Sequence, residues 1–452
     1  MLLDPVKLTL SEASRLIQEN ALSPTELLAS LLQHIDKVET TLEAWVTLDR
    51  IGAIRTAERY TKEVAAGQLR GPLHGIPVGI KDIFCTKGLK TTAGSAILAN
   101  YVPSYDATAV ARLKEAGAII LGKTTTTEFA YRDSATTRNP WNTDHTPGGS
   151  SSGSAAAVSS GMCPVALGSQ TGGSTIRPAA YCGIVGFKPT YGRISRYGVL
   201  PVSWSLDHVG IFTRTVEDAA LVLEVLAGYD PKDPTSSTLP VLLYREAMDE
   251  MSPPRLGLLK EFFHDQAHAE IRRNLEETIG LLRETGAQVV EVRLPQSFNT
   301  VHAAHYLVMS TEAAAIHEET FRTRMSEYRV GLRGMIAAGL LVPASTYLKA
   351  QRIRSQFVRE MIKILHGFDC LLIPATTTPA PRGLESTGDP SFNNPWSFCG
   401  LPSITVPSGL TKDGLPLGIQ LVGQPFREKR LLSVARWCEE ALGFDHEPHN
   451  PL

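Results

Sequence analysis

Two glycine- and serine-rich clusters in an otherwise apolar stretch constrain this chain more than any other sequence feature. The first cluster covers residues 148–154 and the second covers residues 171–175. The sequence between them is apolar at 155–158 and 163–167 and is typical of core elements. Such clusters usually form exposed turns or linkers, but these are expected to lie inside a fold. Buried hydroxyl groups need hydrogen-bond partners, so the stretch indicates a chemical site.

Short apolar runs alternate with helical patterns along most of the chain. Residues 76–80 and 118–122 predict strands that end in polar residues, Lys81 and Lys123. The segment 106–115 predicts a helix whose N-terminus is capped by Asp106. Strands that alternate with helices and end in polar residues predict an α/β fold with helices on both faces of the sheet.

The proline-rich segment 231–240 allows two readings of domain organisation. It would either separate two domains or form a surface loop on one large sheet, and the similar strand patterns on both sides favour the loop. We therefore expect residues 1–70 to form an N-terminal helical segment packed on the core. Residues 71–452 would form one continuous catalytic domain with a variable helical region at about 300–365.

Composition excludes some classes of partner. The 452-residue chain has a net charge of -2 and is 43% hydrophobic, which gives no electrostatic reason to expect nucleic acid or an anionic membrane. No apolar run approaches the ~20 residues of a spanning helix, and no signal peptide is evident. The six cysteines form no C-x-x-C pair. These features predict a cytoplasmic protein with reduced core thiols.

The second glycine–serine cluster suits amide or ester hydrolysis, which needs a nucleophile, a proton acceptor and donors for the oxyanion. Glycines at 172–173 let the backbone approach a substrate closely, and Ser174 supplies a hydroxyl nucleophile. No histidine lies in a suitable place. Lys81 can serve as the base instead, because burial lowers the pKa of a lysine from about 10.4. The alternative for Lys81 is an ordinary solvated lysine.

Three motifs together resemble the amidase signature family. They are Lys81 in the stretch 79–82, Ser150 in the first cluster, and Ser174 in the second. The resemblance covers nearly the whole chain and continues at 400–404 and 418–423. It implies a single large α/β/α domain with a central mixed sheet covered by helices. It also implies amide hydrolysis without a metal or organic cofactor.

The same resemblance implies a role for each motif residue. Ser174 would be the nucleophile, Ser150 would relay protons from a cis peptide, and Lys81 would be the ultimate base. Ser151 would support this relay. The oxyanion hole would consist of the backbone amides of Thr171, Gly172, Gly173 and Ser174.

Two departures from the common family pattern bear on the substrate. Gln170 stands where many members have aspartate, and Arg177 is shifted by one position after the nucleophile. Because no aspartate at position 170 neutralises it, Arg177 would bind a substrate carboxylate. Arg132 and Gln170 are the other candidates for contact with the substrate. The alternative for Arg177 is a buried ion pair, for example with Asp207. Further motifs look similar to those of bacterial malonamidases, which cleave small amides that carry a carboxylate.

These observations predict a stand-alone amidohydrolase that acts on a small, carboxylate-bearing amide and releases ammonia or an amine. Its partner would be the small-molecule amide, with no nucleic acid and no membrane, and a homodimer remains open. One alternative is the A subunit of a glutamyl-tRNA amidotransferase. Another is a non-catalytic scaffold on an amidase fold.

Overall fold

The computed structural model describes residues 4–248 and 251–448. Its strands are β1 Trp45–Leu48, β2 Pro77–Lys81, β3 Ile119–Thr124, β4 Val165–Gln170, β5 Val185–Lys188, β6 His208–Thr213, β7 Arg255–Leu259, β8 Gln288–Val292, β9 Cys370–Pro374, β10 Ser403–Leu410 and β11 Pro416–Val422. Its α-helices are α1 Leu10–Gln18, α2 Pro24–Leu42, α3 Arg50–Ala65, α4 Thr108–Glu115, α5 Ser152–Ser159, α6 Ile176–Tyr181, α7 Val216–Leu226, α8 Ala269–Glu284, α9 Val301–Arg324, α10 Val330–Leu340, α11 Ala344–Leu365, α12 Asn394–Phe398 and α13 Glu428–Leu442.

Within the described residues, one mixed sheet of 11 strands crosses the molecule in the order β1-β3-β2-β4-β6-β5-β10-β11-β9-β7-β8. The pairs β2–β3, β2–β4, β7–β8 and β7–β9 are parallel, and the other pairs are antiparallel. Both faces are covered by helices, which confirms the predicted α/β/α architecture with a central mixed sheet.

Alternation along the central strands explains how both faces are buried. In β4, Leu167 packs into the core cluster that contains residues of α1, α7 and α13. Its neighbour Ala166 belongs to the opposite cluster, which contains residues of α2, α3 and α5. A third cluster joins α9 and α11 to the far half of the sheet.

The parallel strands β2 and β4 place the main sequence motifs together. In their register Ile80 lies opposite Leu167, so Lys81 at the end of β2 reaches the level of the last residues of β4. The first glycine–serine cluster runs into α5, and the second connects β4 to α6. Residues that are far apart in the sequence therefore meet at the carboxyl ends of these strands.

The segment 231–240 is not a boundary between two sheets. Strand β6 precedes it and β7 follows it, and both belong to the same sheet. Residues 1–70 also take part in this sheet, because β1 pairs with β3 along one edge. A strand inside this segment was not expected from its mostly helical pattern.

The prediction that Asp106 caps a helix is wrong. Helix α4 begins at Thr108, its N-cap is Ala107, and no side chain caps it. The carboxylate of Asp106 instead accepts hydrogen bonds from the backbone of Lys87 and from Lys114 Nζ, both at 2.8 Å. Lys114, in the last turn of the helix, therefore binds the carboxylate of Asp106, which was expected to cap the first turn.

None of the helices in the described ranges is both long enough and apolar enough to cross a membrane.

Candidate active site

Lys81 lies at the centre of the candidate site and makes no contact with solvent. Its Nζ is 2.8 Å from Ser150 Oγ, 3.0 Å from Ser151 Oγ and 2.8 Å from Ser169 Oγ. The solvated alternative for this lysine is therefore wrong. Lys81, Ser150 and Ser151 come together as the sequence predicted, and Ser169 completes the group.

Burial dominates the electrostatics of Lys81. It lowers the pKa of the amine well below the usual 10.5, and the negative charge of Asp207 opposes this effect. No carboxylate forms an ion pair with Lys81 within the described residues. Hydroxyl groups stabilise a neutral amine as well as an ammonium, so this environment favours a lysine that can accept a proton.

The peptide bond between Gly149 and Ser150 is cis, although Ser150 is not a proline. Ser150 and Ser151 follow this bond, and both point their hydroxyls at the same amine. Ser151 Oγ also lies 3.3 Å from the backbone nitrogen of Ser169, which ties the first cluster to β4.

Ser174 lies on the loop that joins β4 to α6, five positions after Ser169, whose hydroxyl bonds to Lys81. The residue is 9% exposed, and its side chain makes no hydrogen bond to any described residue. This is a free hydroxyl at a partly accessible position, whereas the other serines of the site are engaged with Lys81.

The loop at 171–174 presents unused backbone donors. None of its four amides donates a hydrogen bond within the described part of the chain. The amides that follow are all used: those of Thr175 and Ile176 donate to Gln170 Oε1, and that of Arg177 donates to Gly173 O. Four adjacent free N–H groups beside a free hydroxyl are the arrangement that an oxyanion requires.

Close packing explains the two glycines of this loop. A Cβ on Gly172 would lie 2.5 Å from Asn394 Oδ1, and one on Gly173 would lie 2.5 Å from Asn393 Oδ1. With any larger residue at either position, the loop or the asparagine side chain would have to shift.

Gln170 holds the loop and does not point at a substrate space. Its side chain is fully buried, its oxygen accepts the amides of Thr175 and Ile176, and its nitrogen donates to Ser397 Oγ at 3.1 Å. Ser397 in turn donates to Gly172 O at 2.7 Å. The expected substrate contact of Gln170 is thus replaced by contacts within the chain.

Arg177 is 4% exposed and is not paired with Asp207, so the suggested ion pair is wrong. Its Nη2 donates to Gly149 O at 2.7 Å and to Thr387 Oγ1 at 3.1 Å. Its Nε and Nη1 are buried and have no partner in the described ranges. Burial lowers the pKa of this guanidinium, with partial compensation from Tyr181 and Asp389. Arg177 therefore contacts the cis peptide and retains unused donors.

Arg132 is exposed, and its positive charge acts on Arg177. The loop that carries it is held by its neighbour Asp133, whose carboxylate accepts the amides of Gly331 and Leu332 at 2.9 Å. The two arginines expected to bind substrate therefore contribute to one region of positive charge.

Three contributors to the site were not predicted from the sequence: Ser169, His305 and the contact of Asp207 with Thr171. His305 Nε2 donates to Thr171 O at 3.0 Å, and Asp207 accepts a hydrogen bond from Thr171 Oγ1 at 2.5 Å. The alternation of side chains along β4 predicts that Ser169 faces Lys81, but this prediction requires knowledge of how β2 pairs with β4. Within the described residues, no group of three or more His, Cys, Asp or Glu side chains could hold a metal ion.

Comparison with known proteins gives a consistent picture. Residues 26–432 match the family model described as Amidase. The A subunit of the glutamyl-tRNA(Gln) amidotransferase of Geobacter metallireducens is 39% identical over 475 residues, which cover 97% of this chain and 98% of that protein.

Solved structures agree with the sequence relatives. The peptide amidase of Stenotrophomonas maltophilia has a TM-score of 0.86 at 30% identity and covers 99% of both chains. The A subunit of the glutamyl-tRNA(Gln) amidotransferase of Thermotoga maritima has a TM-score of 0.83 at 32% identity, and the match covers 100% of this chain and 98% of that one. The narrower resemblance to malonamidases is not confirmed by these relatives.

Proposed function

The chain belongs to the amidase signature family and is an amide-cleaving hydrolase; from this premise we propose that it acts through a seryl acyl-enzyme on small amides that carry a carboxylate. The observation that carries the proposal is the buried amine of Lys81 among three serine hydroxyls, next to a loop with a free hydroxyl and four free amides.

In the proposed first step, Ser174 Oγ attacks the amide carbonyl and forms a C–O bond. Its proton passes through Ser150 to the neutral amine of Lys81. The C–N bond then breaks, and the relay returns the proton to the departing ammonia or amine. The same steps, with water as the nucleophile in place of Ser174, then cleave the acyl-enzyme and release the acid.

The amides at 171–174 would stabilise the oxyanion of both tetrahedral intermediates. Removing one such donor from an enzyme typically costs about 10²–10³ in kcat. Ser151 and Ser169 would hold Lys81 in line with Ser150, since each also bonds to the amine.

Arg177 is the proposed anchor for the substrate carboxylate, with Arg132 adding positive charge. The support is that Nε and Nη1 of Arg177 have no partner in the described chain although they are buried. A buried guanidinium with unused donors is costly unless a ligand supplies the acceptor. Arg177 Nη2 bonds to Thr387 and its Cδ lies beside Gly388, so the carboxylate would bind next to this segment.

A second candidate is the A subunit of a tRNA-dependent amidotransferase. It is favoured by the relatives that bear this name at 39% identity over nearly the full length of both proteins. The chemistry at Lys81, Ser150 and Ser174 would be the same. The difference would lie in the need for partner subunits and in the use of the released ammonia.

Ammonia release by the purified chain tests both candidates. The panel contains half-amides of dicarboxylic acids, glutamine, and neutral amides of equal length. We expect turnover by the chain alone, with the highest kcat/KM for the carboxylate-bearing amides, and covalent labelling of Ser174 by a fluorophosphonate. Activity that appears only with added partner subunits would favour the second candidate. No labelling of the folded chain would contradict both.

A further inference from the structure

Asp207 lies behind the loop at 171–174 and is almost completely buried. One carboxylate oxygen accepts a hydrogen bond from Thr171 Oγ1 at 2.5 Å. The other accepts the backbone amides of Val202 at 2.8 Å and Ser203 at 3.0 Å. The carboxylate therefore bridges the loop to the segment just before β6.

Thr171 is held through both its side chain and its backbone. Its hydroxyl donates to Asp207, and its carbonyl oxygen accepts from His305 Nε2 on α9. Burial lowers the pKa of His305 to about 4, so the imidazole is neutral and its Nε2 proton remains available to Thr171. Two elements that are distant in sequence thus fix the first residue of the proposed oxyanion hole.

Asp207 is also the carboxylate whose charge acts on Lys81, where it opposes the effect of burial. The charged and titratable groups around Asp207 are Lys81 on β2, Arg196, and His208 on β6, with Lys232 and Asp233 lining the same pocket. Burial raises the pKa of Asp207, and the hydrogen bond from Thr171 is the largest opposing influence.

We propose that Asp207 is a positioning residue that holds the oxyanion loop through the hydroxyl of Thr171. It does not touch the substrate. This inference rests on the proposed function, because it assigns Asp207 to the loop of that same site.

The loop contact is tested with Thr171→Val, which removes the hydroxyl and leaves the carboxylate in place. We expect kcat to fall by about 10- to 100-fold while KM changes by less than about threefold, since the loop would stabilise the transition state less well. Thr171→Ser keeps the hydroxyl and should recover most of this loss. Unchanged kcat in Thr171→Val, or a loss confined to KM, would overturn the proposal.

A small pocket allows chemical rescue. Asp207 and His208 are among the residues that line a cavity of about 190 Å³. Added formate should therefore enter Asp207→Gly and restore part of kcat, with no effect on the wild type. Failure of formate to restore any activity in folded Asp207→Gly would count against the proposal. The proposed function fails separately, if Ser174→Ala retains turnover or Ser174 resists fluorophosphonate labelling.

Discussion

The buried amine of Lys81 lowers the free energy of unfolding, and in the proposed mechanism the same amine is the catalytic base. Burial among hydroxyl groups favours the neutral form of this amine, and its folded-state pKa lies well below that of the unfolded chain. Between these two pKa values the unfolded chain binds more protons than the folded chain. The free energy of unfolding therefore rises with pH in this window because of Lys81.

Replacing Lys81 with methionine should abolish turnover and raise stability at neutral pH. Methionine has a similar shape and no amine to desolvate, so the free energy of unfolding should increase and its rise with pH should flatten. Thermal unfolding at several pH values measures both effects. Lys349→Met, at an exposed position, is the matched control and should change neither. A destabilised, inactive Lys81→Met would argue that the amine serves the fold.

Arg177→Lys should separate anchoring of substrate from support of the cis peptide. Lysine keeps the charge but lacks the planar fork, so we expect KM to rise at least about tenfold for carboxylate-bearing amides. Any loss that comes from the contact with Gly149 O should lower kcat equally for charged and neutral amides. Steady-state kinetics on matched pairs of amides gives the two losses separately. Thr387→Val removes only one acceptor of Arg177 and serves as the control.

The residues that carry sequence motifs could be identified before the structure was known, whereas those that act across the sheet could not. Lys81, Ser150 and Ser174 stand in distinctive local sequence. Ser169 and Asp207 look like ordinary strand and loop residues until the pairing of β2 with β4 and the path of 202–207 are known. The free donors of Arg177 also depend on side-chain packing, which the sequence pattern does not contain.

At the scale of elements, the strands predicted at 76–80 and 118–122 are observed as β2, Pro77–Lys81, and β3, Ile119–Thr124. The helix predicted at 106–115 is observed as α4, Thr108–Glu115. Strands β5 and β6 were not predicted, because such short buried runs beside loops carry little periodicity. Strand β1 was missed because it occupies only four residues between two helices.

Asp133 provides a test of how separate elements are joined. Its carboxylate accepts the amides of Gly331 and Leu332 at the start of α10, about 200 positions later in the chain. Asp133→Ala should lower the free energy of unfolding by about 1 kcal/mol, the usual value of a lost helix cap. Glu58→Ala, at an exposed helical site whose side chain makes no hydrogen bond or ion pair with the described residues, should change it by less than about 0.5 kcal/mol. Equal effects of both changes in chemical denaturation would show that the cap contributes nothing.

At the scale of the whole molecule, the sheet is continuous and all six cysteines are free and buried. Burial raises the pKa of Cys163 to about 12, and also that of Cys438 to about 12. Thiolates are the reactive form, so these thiols should be inert in the native state.

A thiol-reactive disulfide reagent should therefore label almost no cysteine in the native chain and six after denaturation. The absorbance of the released thiolate measures the number directly. Rapid labelling of one or more thiols under native conditions would show that part of the sheet opens easily.

The ring of serines around Lys81 has one further consequence. In the proposed mechanism the amine is neutral and has three hydroxyl neighbours, so the resting centre carries no formal charge at the reacting atoms. Charge separates only when the proton moves and the oxyanion forms, and the dipoles of the loop are already oriented for that moment. Added salt should consequently slow the capture of anionic amides near the arginines while leaving the bond-breaking step itself almost unaltered.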